Sequence, residues 1–93
     1  MVKHIVMYTF KESVNKEEAI KAIDGALMPL VGKIPGLLKM EVRLAFSGMD
    51  YALYSEFESR ETLENYAEHP LHVAAKDIIR PFIATRVGAD YEV

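Results

Sequence analysis

The spacing of hydrophobic positions along this chain switches repeatedly between two residues and about 3.6, and each switch marks an element. From Val2 to Phe10, the positions Val2, His4, Val6, Tyr8 and Phe10 alternate with Lys3, Ile5, Met7 and Thr9. This strand is apolar on both faces and needs cover on both. A helix follows, with Asn15 placed to cap it and Glu17 and Glu18 beside the positive end of its dipole. Ala19, Ile20, Ile23, Leu27, Leu30 and Val31 recur at helical spacing. Gly25 and Pro29 interrupt the pattern, because a proline ring clashes with the carbonyl four residues earlier. A kink or local unwinding is expected there, before Gly32 ends the helix and Pro35-Gly36 turns the chain.

Leu37 to Phe46 alternates again, with Leu38, Met40, Val42, Leu44 and Phe46 on one face and Lys39, Glu41 and Arg43 on the other. Ser47-Gly48-Met49-Asp50 predicts a short hairpin connection to a third strand, Tyr51 to Phe57. Ser59 can cap a helix that turns Leu63, Tyr66 and Ala67 inward. His69-Pro70 breaks it, and Pro70 suits the first position of a new helix presenting Ala74, Ala75, Ile78 and Phe82. Thr85 to Val93 reads as the last strand, with Val87, Ala89, Tyr91 and Val93 on one face. Glu41, Arg43, Glu56, Arg86 and Asp90 fall on the polar sides of their strands and predict a solvated or barrel-lining charge network.

The order strand, helix, strand, strand, helix pair, strand predicts a single α+β domain over residues 1–93. It is the ferredoxin-like split βαβ arrangement, a four-stranded antiparallel sheet with helices on one face. Ile5 and Met7 then point at the uncovered side. A second copy of the same sheet is the simplest cover, so a homodimer is expected.

Composition narrows the function. Half the residues are hydrophobic, 51%, more apolar surface than one small core hides. There are no cysteines, which removes disulfides, thiolate nucleophiles and Cys-bound metals. The net charge is −3 and the basic residues are scattered, which argues against nucleic acid and an anionic membrane. No apolar leader precedes Lys3 and no run reaches membrane length, so a cytoplasmic protein is expected.

Side chains able to move protons near neutral pH concentrate in Tyr66-Ala67-Glu68-His69-Pro70-Leu71-His72-Val73. His72 falls in the first turn of a helix, where the dipole and burial both favour a neutral imidazole, a competent general base. The alternative, which the residues alone favour, is that it packs and hydrogen-bonds to the backbone to fix the corner. Tyr66 can donate to a carbonyl oxygen as charge develops, or serve as an amphipathic core tyrosine. His69 reads as a corner residue, and His4 as a pocket polar group or a satisfied core histidine. His69 and His72 have a spacing seen in metal ligands, but Pro70 breaks the helix between them, and no metal or other cofactor is expected. There is no Gly-rich phosphate loop and no G-x-S-x-G elbow.

Val2-Lys3-His4-Ile5-Val6, Gly32-Lys33-Ile34-Pro35-Gly36, Ser55-Glu56-Phe57, Tyr66-x-x-His69-Pro70-x-His72-Val73 and Asp90-Tyr91 together resemble the stress-responsive α/β-barrel family, Dabb, along essentially the whole chain. The resemblance implies a homodimeric α/β barrel with a pocket between each sheet and its own helices. Most members have no established activity. In a plant branch of polyketide cyclases, the positions matching Tyr66 and His72 are catalytic, and the one matching His4 lines the pocket. Gly25, Ala26 and Pro29 replace bulkier pocket residues of that branch. The expected walls are His4, Val6, Tyr8, Ile23, Leu27, Phe57, Tyr66, His72 and Phe82, around a small apolar or aromatic ligand. Three functions remain open: a cofactor-free cyclase or lyase on aromatic or polyketide-like carbonyl compounds, a non-catalytic ligand-binding or stress-related structural dimer, and a cofactor-free monooxygenase.

Overall fold

A computed structural model describes residues 1–93. Its elements are β1 (Val2–Phe10), α1 (Lys16–Leu27), β2 (Leu37–Leu44), β3 (Tyr51–Phe57), α2 (Arg60–Glu68), α3 (Pro70–Ile79) and β4 (Ile83–Glu92). The strands form one antiparallel sheet in the order β2-β3-β1-β4. This is the ferredoxin-like split βαβ topology.

Local chemistry sets each boundary. The Asn15 side chain accepts the Glu18 N–H at 3.0 Å and starts α1. The α-helix stops at Leu27, and Pro29 sits in a single 3₁₀ turn, Met28–Leu30. The expected disturbance is therefore a helix end followed by a tighter turn, rather than a kink inside one long helix. Ser59 and Thr62 form a reciprocal capping box at the start of α2. His69 joins α2 to α3: its N–H donates to the Tyr66 carbonyl at 3.1 Å, and its Nδ1 accepts the Leu71 N–H at 3.1 Å.

One core of 17 buried residues fills the space between sheet and helices. Ala19, Ile23 and Leu27 of α1 face Val2, Val6, Met40, Val42, Leu53 and Phe57 of the sheet. Three sequence expectations change. In β2 the register shifts between Leu37 and Lys39, so Leu37 is buried while Leu38 is exposed, and alternation resumes at Met40. Phe46 lies beyond the strand, fully exposed. In α3 the inward residues are Ala75 and Ile79, whereas Ala74 and Ile78 are exposed. That helix is apolar on most sides, so its phase is set by the His69-Pro70 corner rather than by its own pattern.

The other sheet face is uncovered. Ile5 lies opposite Ala89 and Met7 opposite Val87, with Tyr54 beside them on β3. No helix is long and apolar enough to cross a membrane.

Candidate functional site

Helix α3 packs on α1 and α2 and stands off the sheet, leaving a cavity of about 400 Å³ beneath it. Its floor is His4 and Tyr8 of β1, Leu53 of β3, and Ile83 and Arg86 of β4. Its roof is Leu63, Tyr66 and Ala67 of α2 with His72, Lys76 and Ile79 of α3, and Leu27 and Arg80 close the sides.

Of the walls expected from sequence, the structure brings together His4, Tyr8, Leu27, Tyr66 and His72. Val6, Ile23 and Phe57 do not line the cavity. At 1%, 0% and 0% exposure they sit where α1 and the sheet close on each other. Phe82 packs half-buried against the core instead.

The roof is built around the helix corner. Pro70 at the first position of α3 places His72 in the first turn of that helix, over the end of α2. The His72 ring stacks on the Tyr66 ring, centroids 3.9 Å apart and planes 27° apart. Its Nδ1 lies 3.3 Å from the Ala67 carbonyl. A carbonyl only accepts, so Nδ1 carries the proton and Nε2 keeps a free lone pair. Burial pulls the His72 pKa below the usual histidine value, and Lys76 and His4 nearby push the same way, against the Ala67 carbonyl. The imidazole is therefore neutral at pH 7. Burial raises the Tyr66 pKa, so its phenol keeps its proton and remains a donor. Tyr66 packs at a tilt on Phe57, centroids 4.9 Å and planes 59° apart, which fixes the ring.

His4 faces the cavity from the floor. Its Nδ1 is bonded to the Asp90 carboxylate, and its ring stands edge-on to Phe57. Pairing of β1 with β4 puts His4 opposite Asp90 and Tyr8 opposite Arg86. Asp90 and Arg86 therefore lie on the helix side of the sheet, not in the network expected on its other face. Glu41, Arg43 and Glu56 do lie on that other face, where Tyr54 donates to Glu56 at 2.5 Å. Arg86 and Asp90 were absent from the expected cavity walls, because alternation separates the apolar and polar faces of β4 without showing which one meets the helices. In the structure that apolar face is the uncovered one, and the polar face borders the cavity. Lys76 and Arg80 were also absent, although Lys76 follows His72 by one helical turn and Arg80 comes at the end of that helix.

Nearby, Tyr51 is fully buried between the Tyr8 and Phe10 rings, and its hydroxyl has no partner within the chain.

The model of the stress responsive A/B barrel domain matches residues 2–93. A dimeric ferredoxin-like protein of unknown function from Bacteroides fragilis is 35% identical and superposes with a TM-score of 0.89 over 99% of this chain and 95% of that one. A dimeric ferredoxin-like protein of unknown function from Thermobifida fusca is 26% identical, with a TM-score of 0.84 over 99% and 90% of the two chains. A hydroxynitrile lyase from Passiflora edulis, 19% identical, shares the fold with a TM-score of 0.83 over 97% and 90%. No curated protein matches the sequence.

Proposed function

The chain belongs to the stress responsive A/B barrel domain family, and from that premise we propose a homodimer whose subunits each act as a cofactor-free lyase or cyclase on an apolar or aromatic carbonyl compound. The observation that carries this reading is His72: neutral, held through Nδ1 by the Ala67 carbonyl, and stacked on Tyr66 in a largely apolar cavity.

In the proposed step, His72 Nε2 takes the proton from the carbon next to a substrate carbonyl. The C–H electron pair moves into the enolate, and the negative charge develops on the carbonyl oxygen. The Tyr66 hydroxyl donates to that oxygen, and the low polarity of the cavity strengthens the bond. The enolate carbon then attacks a second carbonyl carbon of the same molecule, and the new alkoxide recovers the proton from the His72 imidazolium. Run backwards, the same proton transfers cleave a carbon–carbon bond. The Passiflora edulis lyase supports this reading only so far as its fold houses lyase chemistry.

The dimer rests on the uncovered sheet face and on two neighbours described as dimeric. A twin sheet would bury Ile5, Met7, Val87 and Ala89.

The test is turnover of polyketide-like diketones and aromatic aldehydes by wild type and His72→Ala, followed by mass spectrometry, with circular dichroism to check folding. General acid–base catalysis is worth about 10²–10⁴-fold, so the variant should lose at least about tenfold. Undiminished turnover by folded His72→Ala would contradict the assignment. The Ala67 contact would also suit a purely structural corner. In that case His72→Ala lowers the Tm and no compound is turned over by wild type.

A further inference from the structure

The chain carries 14 acidic and 11 Lys and Arg residues, so a patch drawn at random would be net acidic. The cavity runs against this. Its formally charged lining residues are Lys76, Arg80 and Arg86, and no Asp or Glu is among the lining side chains. Lys76 stands one turn beyond His72 on α3 and Arg80 follows at the end of that helix, while Arg86 lies on β4 on the opposite wall. Like charges four apart on a helix repel, and this pair is kept beside the cavity nonetheless. Only Arg80 has a carboxylate nearby, Asp77 at 3.7 Å. The Asp90 carboxylate, opposite His4 on the neighbouring strand, is engaged by His4.

We propose that the cavity takes a substrate with an apolar body and a carboxylate end, the carboxylate seated between Arg86 and the Lys76–Arg80 ridge. This rests on the ligand-binding reading of the cavity and names its substrate class. The guanidinium fork of Arg86 suits a carboxylate, which can accept two parallel hydrogen bonds. No glycine lines the cavity, so it has none of the backbone cradle typical of phosphate sites. The body would lie against Leu27, Leu53, Leu63 and Ile79, and its reacting carbonyl would reach His72 and Tyr66.

The test is calorimetric titration of 2-naphthoate and its neutral isostere 2-naphthamide into wild type, Arg86→Gln and Lys76→Gln. The expected result is at least about tenfold tighter binding of the acid, with the preference reduced in both variants while 2-naphthamide binds unchanged. Charge-assisted hydrogen bonds are about twice as strong as neutral ones, which sets that expectation. Equal binding of acid and amide by wild type overturns the carboxylate assignment and leaves the pocket intact. A preference that survives in both variants overturns the assigned seat. Binding of neither probe overturns the pocket reading along with it.

Discussion

At the scale of single residues, what distinguishes His72 is that one contact decides three properties. The Ala67 carbonyl fixes the tautomer, the ring plane and the direction of the free Nε2 lone pair. Burial meanwhile keeps the imidazole neutral. Its folded pKa lies below the ordinary 6.5, so as pH falls the unfolded chain takes up this proton first. The stability His72 confers is therefore complete above about 6.5 and is lost as pH drops toward the folded value. Thermal unfolding of wild type between pH 7.5 and 5 should show a falling Tm, and His72→Gln should flatten that fall. An identical slope in both proteins would mean that His72 is not the group responsible. Tyr66 and His72 were legible in the sequence because the Tyr-x-x-His-Pro-x-His spacing puts both near one corner. Asp90 was not, since its role depends on the β1–β4 register, which places it opposite His4 from 86 residues away.

At the scale of elements, turns and corners explain why these side chains converge. Gly36 has φ +84°, and a Cβ there would overlap the Thr62 side chain, which is itself held in the α2 capping box. The turn into β2 and the start of α2 thus interlock, and the Glu58 N–H donates to the Gly36 carbonyl at 3.0 Å to complete the joint. Gly36→Ala combines left-handed strain with overpacking and should cost about 2–4 kcal/mol in chemical denaturation. A loss below about 0.5 kcal/mol would show that Thr62 yields freely. Element types and order followed directly from the hydrophobic spacing, because periods of two and about 3.6 are hard to confuse over long segments. Faces were less legible. The bulge after Leu37 shifts the phase of β2, and the even apolar coat of α3 hides which side is buried. The pattern of the edge strand β4 separates an apolar from a polar face without orienting them, and in the structure its apolar side meets no helix.

At the scale of the whole molecule, the architecture separates two tasks. One sheet face joins the helices in a core that opens into the cavity under α3, and the other is available to a second copy. Val87 and Tyr91 are 53% and 46% exposed on that second face, high values for largely apolar side chains on its edge strand β4. If the proposed dimer uses this face, Val87→Asp should convert it to monomers in analytical ultracentrifugation, with an unchanged far-UV spectrum. A dimer of unaltered mass would place the interface elsewhere. The cavity itself lies on the far side of the sheet from that interface, so its chemistry can be tested without knowing the natural substrate. Proton abstraction beside a carbonyl leaves a trace in D₂O: the carbon-bound hydrogens of a bound aryl ketone exchange for deuterium, which proton NMR follows directly. The measurement to make is the exchange rate at the methyl group of 2-acetylnaphthalene with wild type, His72→Ala and Tyr66→Phe. Exchange should run well above the buffer rate with wild type, be abolished in His72→Ala and be reduced in Tyr66→Phe. Exchange by folded His72→Ala as fast as by wild type, or wild-type exchange no faster than buffer, would contradict the proposed step.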